Sequence, residues 1–389
     1  MARWPALGLL CALAAGAALG ACWLVGDGLL GPCASFGLAV LIAGQQRLRG
    51  RFMAAFSYYA SGSTPIVAAV VGYWGADHAP LGVIAWLGAS LLLAAPWTLA
   101  AGRWSALGAL ALTALPPLGV IGWLSPLNCA GVLFPGTGWI GLGLLCIGVT
   151  AMYGGGRVHR LRVAVLAALG LIAMASNLSY QEPTPLDGWA GVSTHIEPAR
   201  GNVFAVIANN QQVIRAGIVH GKDARVVVFP EAILDDWRPG TRQQFALAVA
   251  PGQVWILGAD TDSSDALVAV TSGNARVRPL TRSAGLILGG NWLPGSRHTL
   301  RPAWWESIFV IEHRRVWAAL CVEQVQPWTW LEAMLQHPDG VLALSNGWWT
   351  DTPAISWLPT GAAGLAIEHA SARAWTRLMH RPVVWALNQ

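Results

Sequence analysis

A helical membrane bundle followed by an α/β layered domain is the fold class this sequence predicts, and three observations predict it. Residues 1–176 hold two acidic residues (Asp27, Asp77), eight arginines and no lysine in an Ala/Leu/Gly/Val background. That stretch divides into apolar segments of membrane-spanning length. Beyond residue 200 the pattern changes to short apolar runs separated by polar or helical stretches, which is how a layered α/β domain reads.

A helix needs roughly 20 apolar residues to cross the hydrocarbon core. About seven segments meet that need, at 4–25, 29–46, 53–74, 81–101, 104–124, 136–153 and 161–177. Ser57, Ser61, Ser63, Thr64 and Pro65 interrupt the third, and such breaks are tolerated inside a bundle. Small residues at a spacing of four, Gly8, Ala12, Gly16 and Gly20, suit close helix packing in lipid. A cleaved signal ending near Leu19-Gly-Ala-Cys22 is the rival reading of residues 1–22. Further apolar segments following at once weigh against it.

The charges order these segments. Arg3, then Arg47, Arg49 and Arg51, then Arg103, then Arg157, Arg160 and Arg162 fall in alternate loops, with Asp27 and Asp77 in the others. The positive-inside rule puts the N-terminus in the cytoplasm and residues 178–389 across the inner membrane, in the periplasm. The basic balance belongs to this half, since residues 177–389 carry 17 acidic and 16 basic residues. A diffuse arginine excess at membrane loops makes no phosphate-binding face, so no nucleic-acid partner is expected.

Two domains and a linker follow: a transmembrane part over 1–177, a linker over 178–200 rich in proline and glycine, and a periplasmic domain over 201–389. Strands are expected at 203–208, 225–230, 253–259, 266–271, 275–281, 307–312, 315–321, 340–345 and 383–387. Helices are expected at 210–220, 241–250, 328–336 and 360–379. Fourteen of the 22 tryptophans lie in this half. They suit a packed core, or a rim resting at lipid headgroups with Trp348 and Trp349 walling a pocket.

Two segments carry the chemistry. Val226-Val-Val-Phe-Pro-Glu231 and Ala318-Ala-Leu-Cys-Val-Glu323 each read as a buried strand ending at a reactive side chain. Glu231 is positioned to serve as a general base, with partial burial raising its pKa. Cys321, the one cysteine beyond residue 146, is the candidate nucleophile, since a thiol near a base becomes a thiolate. Cysteine is also often a small buried hydrophobe, and the pairing with Glu231 is what favours chemistry. Glu323 lies two residues past the thiol, as an orienting acid or a plain ion-pair partner. The nine histidines show no metal-ligand spacing, and no phosphate or dinucleotide loop is present. No metal or cofactor is expected.

Phe-Pro-Glu231 and Cys321-Val-Glu323, in that order and 90 residues apart, resemble the nitrilase (carbon–nitrogen hydrolase) superfamily. So do Leu344-Ser-Asn-Gly-Trp-Trp349, Ala374-Trp-Thr-Arg-Leu-Met379 and Arg381-Pro-Val-Val-Trp-Ala-Leu-Asn388. Preceding membrane spans look like the apolipoprotein N-acyltransferase branch, and the order of parts is closer still to the TraB family of conjugal transfer. The resemblance implies an αββα sandwich with a Glu–Lys–Cys triad, and Asn346 joins Glu323 as a supporting residue. The single lysine, Lys222, precedes Glu231 rather than following it. Arg282 is the expected occupant of the vacant place. An arginine can stabilise an oxyanion but cannot shuttle a proton. Where the acyltransferases carry a further glutamate this chain offers Asn291, and Val322 stands where they have tyrosine.

The resemblance implies support of conjugative plasmid transfer, with a domain acting on an amide or acyl group through a Cys321 thioester. Two other readings stand beside it: a non-catalytic scaffold binding a pilus or envelope component, and an apolipoprotein N-acyltransferase. The expected partners are membrane lipid and an acyl or amide substrate or an envelope protein.

Overall fold

The computed structural model describes residues 4–153, 159–199, 201–261, 264–284, 303–305, 308–350 and 361–389. Nine helices come first among them: α1 (Trp4–Ala21), α2 (Leu30–Gly44), α3 (Leu48–Gly62), α4 (Pro65–Trp74), α5 (Ala79–Thr98), α6 (Arg103–Ala114), α7 (Cys129–Leu133), α8 (Trp139–Met152) and α9 (His159–Ser179). There follow β1 (Trp189–Gly191), β2 (Ser193–Thr194), α10 (Val203–His220), β3 (Val226–Val228), α11 (Pro239–Ala248), β4 (Val254–Asp260) and β5 (Asp265–Thr271). The chain closes with β6 (Asn274–Ala275), β7 (Thr281–Arg282), β8 (Phe309–Ile311), β9 (Arg314–Leu320), α12 (Pro327–Gln336), β10 (Gly340–Asn346), α13 (Gly361–Met379) and β11 (Val383–Asn388). Two compact units result. One comprises Met1–Glu182, Gln324–Met334 and Asp351–His380; the other comprises Pro183–Glu323, Leu335–Thr350 and Arg381–Gln389.

Among the described residues of the helical unit, three helices are long and apolar enough to cross a membrane, over Leu7–Leu24, Ala76–Thr98 and Arg160–Ser179. This corrects the expected seven. Proline explains two of the shortfalls. Pro65 sits in the first turn of α4, where its missing N–H costs nothing, so the expected 53–74 segment divides into two helices. Pro116 and Pro117 follow the end of α6, which stops at Ala114. Two further helices are simply short: α2 has 15 residues and α8 has 14, rising about 21–23 Å against a core of about 30 Å.

The small-residue spacing on α1 works over part of its length. A methyl group at Gly16 would run into the Ala54 carbonyl of α3, and one at Gly20 into the Tyr58 carbonyl. Gly8 faces open space. Two buried polar side chains here are bonded in series. Trp23 Nε1 donates to the Tyr58 hydroxyl at 2.9 Å, which donates to the Leu124 carbonyl at 2.8 Å. α13 belongs to this unit and is tied to it by charge. Arg373 meets Asp27 at 2.7 Å, and Arg377 meets Glu182 at 2.8 Å while lying over the Tyr180 ring.

The described residues of the second unit form two sheets. The first runs β1-β3-β4-β5-β6, with β7 also pairing β5; the second runs β2-β11-β10-β9-β8. The period of two of each strand sets its two faces. Val226 and Val228 of β3, Ile256 of β4 and Leu267 of β5 share a core with Val316, Ala318 and Leu320 of β9, Leu342 and Leu344 of β10, and Ala386 of β11. The sheets therefore pack face to face. The alternate residues Val227, Trp255, Leu257 and Val268 pack with Val213 of α10 and Phe245 of α11.

Two expectations fail here. Residues 203–208 are helical, because Asn202 caps the segment by accepting from the Phe204 and Ala205 amides. The buried stripe Asn210, Val213, Gly217 then follows helical spacing. The expected linker also contains structure: β1 pairs parallel with β3, and β2 pairs parallel with β11. These strands are two or three residues long and carry no apolar alternation to announce them.

Candidate functional site

Glu231 stands just past β3, which is buried throughout. Phe229 donates its amide to Ile256, and the chain then turns at Pro230. Gly258 of β4 lies directly beneath this turn: a methyl group there would fall 2.6 Å from the Glu231 Cα and against the Pro230 carbonyl. Ala232, the next residue, has a left-handed backbone at φ 42°. Asn346, ending β10, donates from Nδ2 to the Ala232 carbonyl at 3.2 Å. Its Oδ1 accepts from Asn388 Nδ2 at 2.8 Å, and its carbonyl accepts from Trp349 Nε1. The acid is thus held at the strand end from both sheets, with its residue only 4% exposed.

Cys321 stands just past β9, and its backbone is left-handed at φ 41°. That conformation costs a non-glycine residue of order 1–3 kcal/mol, and residues held in it cluster at functional positions. The side chain is half-buried. Immediately after it, Glu323 folds back over the strand end. One of its oxygens accepts from the Leu320 amide at 3.0 Å. The other accepts from the Ser283 hydroxyl at 3.1 Å and from the Ala284 amide. Burial pushes the Glu323 carboxyl up to about 8, against the three hydrogen bonds that favour its ionised form.

An acid that sequence reasoning missed joins the two strand ends. Asp265 opens β5, lies opposite Asp260 of β4 in the antiparallel register, and shares a side-chain hydrogen bond with Glu231. It also acts electrostatically on Glu323. Burial raises the pKa of Asp265, and burial followed by the nearby Asp265 and Asp235 charges raises that of Asp260. A usable signal existed: an aspartate begins the apolar run Ala266-Leu-Val-Ala-Val270, and an aspartate ends the strand before it.

Arg282 lies on β7. It pairs with Ala266 at the sheet edge with its side chain exposed, while Thr281 and Ser283 on either side are buried. The position facing the buried acids is thus Ser283. Of the expected pocket wall, Trp349 is buried and bonded to Asn346, and Trp348 is half-buried. Asn291 lies outside the described residues. Ser283 and Glu323 are thus bonded to each other beside Cys321, with Glu323 also holding the Leu320 amide, while Asn346 braces the turn that carries Glu231 through the Ala232 carbonyl.

No family model matches the chain. It is 30% identical over 293 residues to the conjugal transfer protein TraB of Agrobacterium fabrum, a match covering 72% of this chain and 66% of that protein. It is 27% identical over 362 residues to the probable conjugal transfer protein TraB of Sinorhizobium fredii, covering 88% and 89%. The chain therefore spans a little under two thirds of the Agrobacterium protein and most of the Sinorhizobium one. By descent it is a homologue of conjugal transfer proteins named TraB.

Proposed function

We propose that this protein supports conjugative plasmid transfer from within the bacterial inner membrane, and that its two strand ends form a thioester-forming site for an amide or acyl group. The matches to TraB proteins carry the first part. The left-handed backbone of Cys321 at the tip of β9 carries the second. In this reading the thiol proton passes toward Glu231 and the sulfur attacks the carbonyl carbon. Backbone N–H groups near Val322 hold the oxyanion. The C–N or C–O bond then breaks, the amine or alcohol leaves with the proton returned from Glu231, and the acyl group passes from sulfur to water or an amine. Arg282, exposed on β7, is assigned to the incoming substrate rather than to the buried acids.

Hydrogen bonds within the helical unit support a cytoplasmic N-terminus and a periplasmic second unit. Arg51 donates to the carbonyls of Gln45, Gln46 and Thr98, which joins two arginine-bearing ends. Asp27 and Glu182 are joined in the same way through the arginines of α13.

An electrophilic acyl probe tests the site. Labelling should occur in the full chain and vanish in Cys321→Ala; labelling that survives that change refutes it. A second reading, a scaffold binding an envelope component, draws support from the acids gathered near Cys321 and from the absence of lysine between residues 231 and 321. Plasmid transfer undiminished by Cys321→Ser would favour it.

A further inference from the structure

An exposed arginine beside an exposed leucine or tryptophan suits the boundary of a lipid bilayer better than it suits water. One end of the helical unit is made of such pairs. Arg47, Leu48 and Arg49 enter α3, Arg103 and Trp104 begin α6, and all five are exposed, Trp104 to 72%. Leu99, just past α5, is exposed as well. The Arg103 guanidinium lies 5.3 Å from the centre of the Trp104 ring, so cation and ring form one amphipathic tip. Buried Arg51 makes a single surface of the two turns. Its Nε donates to the Thr98 carbonyl at 2.9 Å, and its Nη1 donates to the Gln45 and Gln46 carbonyls at 3.1 and 3.2 Å. These bonds hold the α2–α3 turn beside the α5–α6 turn. The first 176 residues offer this surface no counter-charge. Their two acids are Asp27, which pairs with Arg373, and Asp77, which lies at the opposite end of α5 from Thr98. Neither α3 nor α6 has an acid in its first turn. Arg47, Arg49 and Arg103 make no ion pair among the described residues.

We propose that this end of the helical unit is a docking surface for anionic phospholipid. Arg47, Arg49 and Arg103 take the headgroup phosphates, while Leu48, Leu99 and Trp104 enter the acyl boundary beneath them. Charge complementarity selects the occupant. A zwitterionic headgroup brings its phosphate together with a cation that the arginines repel, whereas an anionic one brings the phosphate alone. A water-borne polyanion would cover the arginines and leave the leucines and tryptophan in water; a bilayer accepts both. The inference rests on the membrane placement proposed above and is independent of the thiol chemistry.

The test uses the full chain extracted from membranes in detergent. Phosphatidylglycerol or phosphatidylcholine with matched acyl chains is added back, and retained lipid is counted by native mass spectrometry. Wild type should retain phosphatidylglycerol in preference, each arginine contributing about fivefold to the ratio. Arg47→Gln, Arg49→Gln and Arg103→Gln should each lower that ratio. The triple change should abolish the preference, and replacing all three by lysine should restore it. Equal retention of the two lipids by wild type overturns the proposal. So do three single variants with the wild-type ratio, a result that stands even where the triple variant fails to assemble. Two further arms identify the source of the phosphate. Millimolar inorganic phosphate should leave the ratio unchanged; displacement of the lipid by phosphate alone would overturn the lipid assignment in favour of a free-phosphate site. Short duplex DNA that binds wild type in place of phosphatidylglycerol, and not the triple glutamine variant, would overturn it likewise. Recovery of the chain from the soluble fraction refutes the membrane placement and this surface with it. A membrane-extracted chain without lipid selectivity overturns the surface alone.

Discussion

Glu323 accepts a hydrogen bond from the Leu320 amide, three residues back across the thiol-bearing turn. The strand end that carries Cys321 is therefore closed by a carboxyl group, and the raised pKa of that group ties the turn to pH.

The sign of this dependence follows from linkage. The folded-state pKa of Glu323, about 8, lies above its ordinary value of 4.5. Its neutral form is the one the fold prefers, so its contribution is fully present below about pH 4.5 and is lost as pH rises through 8. The slope is at most about 1.4 kcal/mol per pH unit for one group. Thermal unfolding followed by circular dichroism should show stability falling over that window, and Glu323→Gln should flatten the fall. An unchanged slope in the variant would remove Glu323 as its source.

Cys321→Gly should raise stability by roughly 1 kcal/mol, because glycine adopts φ 41° without the side-chain penalty. Cys321→Ala should leave stability within about 0.5 kcal/mol of wild type. Denaturant titration of the two variants side by side separates relief of strain from loss of the thiol. Equal stabilities would mean that the turn carries no strain.

Gly258→Ala places a methyl group against the backbone of the Glu231 turn. Backbone cannot step aside as a flexible side chain can, so the cost should reach roughly 1–3 kcal/mol. Acyl-probe labelling of Cys321 should drop with it, since the acid would move while the cysteine stayed in place. A destabilised variant that labels at the wild-type rate would show that Glu231 is not the base.

Asn346→Leu breaks the bonds to Ala232 and Asn388, leaving buried partners unpaired at a cost of roughly 1–3 kcal/mol. A double-mutant cycle with Asn388→Leu should show strong coupling, the pair costing less than the two single changes added together. Additive costs would argue that the two asparagines act independently.

Within the helical unit, Gly16→Val should disrupt the approach of α1 to α3, whereas Gly8→Val should be tolerated. Retention of folded protein after mild heating in detergent distinguishes them. Comparable losses at both positions would mean that the whole stripe packs.

What was legible in the sequence followed regular patterns. The runs containing β3, β4, β9 and β10 are short, apolar and bounded by polar or turn residues, and Glu231 and Cys321 are found at two of their tips. Less regular features were harder to read. Residues 203–208 are apolar enough for a strand, and only the Asn202 cap and the stripe running on to Gly217 mark a helix. Counting apolar residues also overstated the spans, because it passes over the helix breaks at Ser63–Pro65 and after Ala114. Asp265 escaped because its importance lies in its register opposite Asp260 and its bond to Glu231. Arg282 was chosen by charge, but the strand's alternation turns its side chain outward.

The asparagine at the end of β11 has a bearing on timing. Asn388 bonds to Thr194, Ile196 and Asn346, and Asn346 in turn holds the turn that carries Glu231. The contacts to Thr194 and Ile196 join residues nearly 200 positions apart in the chain, and such distant pairings form late in folding. A chain still emerging from the ribosome has the thiol long before it has residue 388. The tether on the Glu231 turn closes only when β11 arrives, so in a half-made protein that turn is held from one sheet alone.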